Sequence, residues 1–169
     1  TIVKKLLAER KDIALSISCT TREPRKGEKD GREYFFLTRE EFLKKAKEGE
    51  FLEYDEHFGN LYGTPKSFVK ERLKEKSVLL EIDVVGALNA KREFPDCVLV
   101  MIAPPSEEEL KKRLSGRNSE TEAEIRTRLE RLDFELAQKE LYDYVVVNDD
   151  LEKATAQVGN ILDLHKNKE

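Results

Sequence analysis

The chain has 169 residues, of which 38% are apolar and 39% are charged, and its formal net charge is -4. These values indicate one soluble, highly charged globular domain with room for a small insertion, and they exclude a general nucleic-acid-binding protein. No apolar run approaches the roughly 20 residues that span a bilayer, so we expect a cytoplasmic protein without a membrane segment.

The first part of the chain predicts a helix, two strands and a capped helix. Apolar residues at positions 2, 3, 6 and 7 lie on one helical stripe. Residues 12–20 alternate between apolar and polar side chains, which predicts a single strand, and residues 33–37 predict a second, short one. Thr38 with Glu41 forms a capping box at the start of a helix that Gly49 ends.

The remaining elements predict an α/β fold with a parallel sheet. Gly59-Asn60 indicates a hairpin turn, and Thr64-Pro65 is expected to begin a helix with proline at its first position. From residue 77 onward, short apolar strands alternate with helices, and the run SVLLEID is typical of a strand covered on both faces. The isolated Cys19 and Cys97 are expected to be free thiols.

The stretch SCTTREPRKGEKDGREYFF, residues 18–36, predicts an anion site. It combines hydroxyls, a tyrosine and two arginines around a proline, and these side chains donate hydrogen bonds to phosphate oxygens. Ser18 lies at the end of the first strand, and Glu81 and Asp83 lie at the end of SVLLEID. Because ligands gather at the carboxyl ends of strands in such sheets, we expect these groups to converge on one crevice.

Five motifs in series resemble guanylate kinases, the bacterial ones most closely. They are S-x-T-T-R-x-P-R-x-G-E-x-D-G-x-x-Y-F-F, G-E-F-L-E-Y, G-N-x-Y-G-T, L-E-I-D-V-x-G and V-V-N-D-D-L. The resemblance covers essentially the whole chain. It implies a P-loop nucleoside-monophosphate kinase fold, in which a core of residues 1–32 and 64–169 carries a lid at about 115–128 and an inserted GMP-binding lobe at 33–63.

The resemblance also implies an activity, phosphoryl transfer from ATP to GMP with Mg²⁺, and the residues that perform it. It implies that the GMP phosphate is held by Ser18, Arg22, Arg25, Tyr34 and Tyr62, and that guanine is read by Glu53, Thr64 and Glu81. Asp83 would contact the metal through water, and Asn148 would lie beside the adenine. Arg113, Arg117 and Arg128 would act as lid and catalytic arginines together with Arg25, with Arg117 also binding ATP. Neither a nucleic acid nor a membrane is expected as a partner, and the oligomeric state is left open.

The chemistry of guanine supports two of these assignments independently. Its N1–H and 2-amino groups are adjacent donors that one carboxylate, that of Glu53, accepts together, and Thr64 can donate to the 6-oxo group. Adenine would leave the carboxylate unpaired, which lets such sites reject the wrong base by roughly 10⁴-fold. Other readings stay open: Glu53 as an outward strand residue, Thr64 as a helix cap, and Arg22 and Arg25 as solvated loop charges.

One motif of the resembled family does not occur in the sequence. The family has a strand and G-x-x-x-x-G-K-[ST] before its first helix, and Thr1 falls where the residue after that motif should be. Without the loop, we expect inefficient turnover of ATP. Either the loop precedes the printed chain, which is then an enzyme, or the domain is catalytically dead and binds GMP or phosphopeptides. The lid arginines and Glu81-Ile82-Asp83 favour the enzyme.

Overall fold

The computed structural model describes residues 1–57, 59–106, 108–109, 134 and 136–166. The chain divides into two compact units, one of Thr1–Leu6 with Cys97–Glu169 and one of Leu7–Asp96. The lid expected at about 115–128 lies outside the described residues.

Five α-helices and eight strands have both of their ends within the described part of the chain. The helices are α1 (Ile2–Glu9), α2 (Arg39–Lys47), α3 (Lys66–Leu73), α4 (Val84–Glu93) and α5 (Leu151–Lys166), and a short 3₁₀ helix covers Lys139–Leu141. The strands are β1 (Ile13–Leu15), β2 (Cys19–Thr20), β3 (Phe35–Phe36), β4 (Phe51–His57), β5 (Asn60–Pro65), β6 (Ser77–Leu79), β7 (Val100–Ala103) and β8 (Tyr144–Val147).

The single strand predicted over residues 12–20 was wrong, because the chain changes sheets within it. β1 pairs with β6 in a parallel two-stranded sheet, whereas β2 pairs with β3 and β5 in a four-stranded sheet. Cys19 and Thr20 are both buried, so the expected alternation of faces ends there as well. Side-chain alternation reports an extended backbone but not the strand that pairs with it, so the pattern could not reveal the change.

The four-stranded sheet, in the order β3-β2-β5-β4, carries a hydrophobic core on one face. Cys19, Phe42, Phe51 and Leu61 form this core, and the Phe42 and Phe51 rings stack with centroids 4.5 Å apart. Phe42 belongs to α2, whose predicted capping box between Thr38 and Glu41 is confirmed. The sheet face that packs against α2 is called the core face below.

Two boundaries in the Leu7–Asp96 unit differ from the predictions. SVLLEID forms a strand only over Ser77–Leu79, and these residues are half-buried rather than fully covered. Thr64 does not cap α3, because β5 runs on to Pro65, and Pro65 itself is the N-cap without a side-chain hydrogen bond.

The predicted hairpin is confirmed: β4 and β5 pair antiparallel around Gly59, whose φ of 76° is one that glycine adopts without strain.

The other unit contains the parallel pair β7 and β8 together with α5. All four residues of β7 pair with β8, from Val100 with Tyr144 to Ala103 with Val147. The Tyr144 hydroxyl lies 3.0 Å from Nε2 of His165 at the end of α5. None of the helices in the described ranges has both the length and the apolar character that a bilayer crossing requires.

Candidate nucleotide site

The sheet face opposite the core face presents two of the predicted site residues, Tyr62 and Thr64. Leu61 is buried in the core, and a Cβ placed on Gly63 would lie 3.0 Å from the Phe42 ring, so both residues point to the core face. Since side chains alternate along a strand, Tyr62 and Thr64 share the opposite face, about 7 Å apart. We call this second face the site face.

A β-bulge brings Glu53 to Thr64. In the β4–β5 ladder Phe51 pairs with Pro65 and Tyr54 pairs with Gly63, so Leu52 and Glu53 together face the single residue Thr64. A bulge of this kind re-aims the side chains of the longer strand. The Thr64 hydroxyl donates to Oε1 of Glu53 across 2.6 Å.

The Glu53 carboxyl lies in surroundings that disfavour its charge. Burial is the largest effect and raises its pKa above the ordinary value, the hydrogen bond from Thr64 acts in the opposite direction, and the nearby Asp83 carboxylate raises the pKa further. Thr64 is only 1% exposed, so its hydroxyl is held in place by its neighbours. A partly buried carboxylate that can accept two adjacent donors fits the hydrogen-bonding edge of guanine.

A second group on this side of the molecule joins Arg22 to two tyrosines. The Arg22 guanidinium lies 5.4 Å from the centre of the Tyr34 ring and interacts electrostatically with the Tyr62 side chain. The Tyr34 and Tyr62 rings meet edge to face with centroids 6.0 Å apart. One guanidinium and two phenol groups thus lie together at the end of the site face, where they can donate to one phosphate.

Glu28 organises the loop that carries Arg22 and Arg25. Arg22 Nη2 lies 3.0 Å from both carboxylate oxygens of Glu28, and the Arg25 backbone N–H donates to the same carboxylate at 2.7 Å. The hydrogen bond from the Arg25 backbone is the largest cause that lowers the Glu28 pKa. Glu28 is therefore a fixed anion that orients Arg22.

Three other predicted site residues of the same unit, Ser18, Arg25 and Glu81, are less closely joined to these groups through their side chains. Ser18 accepts the Phe35 N–H through its backbone oxygen, and the Arg25 side chain is exposed on its loop. Glu81 is exposed between β6 and α4, and within the described ranges it makes no hydrogen bond to the other predicted site residues. Asn148 follows β8 in the other unit. Arg113, Arg117 and Arg128 lie outside the described residues.

Asp83 begins α4 as its N-cap, and its Oδ1 accepts the Gly86 N–H at 2.9 Å. In the described part of the chain, no group of three or more His, Cys, Asp or Glu side chains could hold a metal ion. Mg²⁺ in kinases is bound by one or two carboxylates and otherwise by phosphates and water, so the carboxylate of Asp83 is compatible with it.

Three features of the site did not follow from the sequence analysis. The bulge at Glu53 leaves no signal in the residue pattern, because it depends on the pairing with β5. Glu28 could have been noticed as an acidic residue in an arginine-rich loop. Gly86, buried in the first turn of α4, could have been noticed as a helical glycine, a residue that is about 1 kcal/mol less favourable than alanine in a helix interior.

The comparisons with known proteins agree in pointing to one family. A family model described as Guanylate kinase matches residues 1–165. A guanylate kinase of Clostridium perfringens is 49% identical over 163 residues, which cover 96% of this chain and 76% of the relative. One of Thermotoga maritima is 44% identical over 162 residues, covering 95% of this chain and 78% of the relative.

A solved structure leads to the same family. The guanylate kinase of Anaplasma phagocytophilum has a TM-score of 0.76 and 37% sequence identity, and the match covers 99% of this chain and 81% of that one. The predicted fold class, an α/β nucleoside-monophosphate kinase fold, is therefore confirmed, and nothing among these relatives favours the catalytically dead alternative. The chain belongs to the guanylate kinase family, a family of kinases.

Proposed function

We propose that the protein transfers the γ-phosphoryl group of ATP to GMP, giving ADP and GDP, with Mg²⁺ as the metal. The observation that carries the proposal is the pair of Glu53 and Thr64, a carboxylate acceptor beside a hydroxyl donor, on the same sheet face as Tyr62. Guanine offers the complementary arrangement, two donors beside one acceptor, whereas adenine does not.

Recognition of guanine requires a rearrangement of one proton. The Thr64 hydroxyl has a single proton, and in the absence of nucleotide it donates to Glu53. When guanine binds, Glu53 accepts from the N1–H and 2-amino groups, and Thr64 turns its proton toward the 6-oxo group. The exchange keeps the buried Thr64 and the partly buried Glu53 hydrogen-bonded in either state, which avoids the cost of a desolvated group left unpaired.

The phosphate of GMP lies against Arg22, Tyr34 and Tyr62, with the exposed Arg25 closing over it. Arg22 is already oriented by Glu28, so little side-chain entropy is lost when it binds phosphate. In phosphoryl transfer the protein mainly positions the reactants and stabilises charge, and arginines provide both.

The ATP side of the site extends the same proposal. Arg113, Arg117 and Arg128 neutralise the charge that develops on the transferred group, and Asn148 lies beside the adenine. Asp83 would hold Mg²⁺ through water. The metal would supply positive charge that offsets the negative charge of the phosphates.

The proposal is tested by ³¹P NMR on the protein at its natural length, incubated with ATP, Mg²⁺ and either GMP or AMP. We expect the β-phosphate signal of GDP to grow with GMP, no comparable growth with AMP, and loss of the reaction when EDTA removes the metal. Equal consumption of GMP and AMP would refute the guanine assignment, and ATP turnover without GDP would refute the transfer.

A further inference from the structure

Gly86 lies in the first turn of α4 but is not explained by its backbone or its cap. Its φ is outside the positive region in which glycine is favoured over other residues. Its N–H donates to Asp83, a contact that any residue except proline makes. Helix propensity favours alanine at such a position. The reason for glycine must therefore be sought in what surrounds its Cα.

The missing side chain of Gly86 leaves the space that Glu53 occupies. A Cβ on residue 86 would lie 2.7 Å from Cγ and 3.4 Å from Cδ of Glu53, and 3.1 Å from Cβ of Ile82. Carbon atoms in contact are normally about 3.5–4.0 Å apart, so an alanine would require a displacement of about 1 Å.

The displacement falls on Glu53 rather than on its neighbours. Cβ of Ile82 is bonded to the backbone just before α4 and cannot rotate away. Glu53 also has little freedom, since its Oε1 accepts from the buried hydroxyl of Thr64. Rotating Cγ away from residue 86 would therefore move the carboxylate away from Thr64.

From this geometry, and resting on the proposed function, we infer that Gly86 is a positioning residue for guanine specificity. Its lack of a side chain allows the first turn of α4 to approach Glu53 and fixes the carboxylate beside Thr64. A misplacement of about 1 Å is enough to weaken a paired set of hydrogen bonds to a base. Gly86 itself need not touch the nucleotide.

The test compares Gly86→Ala with Gly159→Ala. Gly159 is a second helical glycine, in α5, where a Cβ would meet nothing closer than 3.9 Å. Calorimetry measures the affinity for GMP, for IMP, which lacks the 2-amino group, and for ribose 5-phosphate, which lacks the base. We expect Gly86→Ala to weaken the affinity for GMP by about 5- to 150-fold, which brings it close to the affinity for IMP. The affinity for ribose 5-phosphate should be unchanged. Gly159→Ala should change none of the three.

A double-mutant cycle asks whether Gly86 acts through Glu53. Truncation by Glu53→Ala removes the Cγ atom that an alanine at 86 would meet. We expect Gly86→Ala to weaken GMP binding no further in that background, and the double variant to melt at a higher temperature than Gly86→Ala alone. The melting comparison applies even if Gly86→Ala alone fails to fold, because truncation of Glu53 should then restore folding.

The outcomes separate this inference from the proposed function. If the wild-type protein does not prefer GMP to IMP, the assignment of Glu53 to the two donors of guanine fails, and the inference fails with it. If the wild type prefers GMP and Gly86→Ala keeps the same preference, the inference alone is overturned. The inference would also be overturned if the effects of Gly86→Ala and Glu53→Ala on GMP affinity and on melting temperature were simply additive in the double variant.

Discussion

Replacing the Glu53 carboxylate by an amide is the most informative single change in the site. Oε1 of Glu53 accepts from Thr64 at 2.6 Å, and the proposal assigns guanine's two donors to the carboxylate. In Glu53→Gln one carboxylate oxygen becomes an NH₂ group, so the side chain can accept only one guanine donor while its own donor opposes the other.

The expected loss is that of one good bidentate base contact, about 1–3 kcal/mol, which corresponds to a roughly 5- to 150-fold weaker GMP affinity. Folding should not suffer. Burial raises the pKa of Glu53 in the folded state. The contribution of Glu53 to the free energy of unfolding is therefore present below its unfolded-state pKa and is lost as the pH rises through its folded-state pKa. A neutral glutamine avoids this cost, and the variant should melt at pH 7 no lower than the wild type.

Calorimetric titration with GMP, paired with a thermal melt at pH 7, separates binding from unfolding. Glu56→Gln is the matched control, because Glu56 lies three residues further along the same strand and is an exposed partner of Arg39 at 3.0 Å. GMP affinity should be unchanged in the control. An unchanged affinity in Glu53→Gln would show that Glu53 is only a strand residue.

Two further predictions concern the phosphate group and the pH dependence. Arg25→Ala should weaken the affinity for GMP but leave the affinity for guanosine unchanged. The control is Arg32→Ala, at an exposed residue of the same loop. Equal losses of affinity for both ligands in Arg25→Ala would remove Arg25 from the phosphate site. Because burial raises the Glu53 pKa, guanosine affinity should fall on acidification at a higher pH than the ordinary value of 4.5 implies, and Glu53→Gln should abolish that step. A pH profile that is the same in both proteins would contradict the pKa argument.

The local elements of the fold were predictable because their causes lie within a few residues. The capping box of Thr38 and Glu41 and the hairpin at Gly59 are set by neighbours in sequence, and both are confirmed. The end of β1 and the start of β2 were not predictable, because the break depends on the partners β6 and β5. A continuous alternating pattern gives no information about such a change of partner.

The same distinction applies to the candidate site. The resemblance to guanylate kinases selected Glu53 and Thr64, with support from the chemistry of guanine, and the structure shows the two side chains hydrogen-bonded. The bulge that turns Glu53 toward Thr64 and the close approach of Gly86 arise from contacts between separate elements. Thr64 was also expected as a possible helix cap, and that reading was wrong because β5 continues past it.

The division into a core of residues 1–32 and 64–169 and a lobe of residues 33–63 stays a prediction. The four-stranded sheet includes β2, so the strands that pair in it begin at Cys19. Contacts divide the chain instead at Leu7 and Asp96. A core and a lobe defined by which residues move together on nucleotide binding need not coincide with the strand pairing or with the division by contacts.

Calorimetry with GMP and with AMP, in the absence of ATP, tests the central claim most directly. The two ligands share the ribose and the phosphate, so any difference between their affinities comes from the base. The account predicts that GMP binds and that AMP binds at least about 100-fold more weakly, since adenine would leave the partly buried Glu53 carboxylate unpaired. Comparable affinities for GMP and AMP would contradict the assignment of Glu53 and Thr64 to guanine, and with it the proposed function.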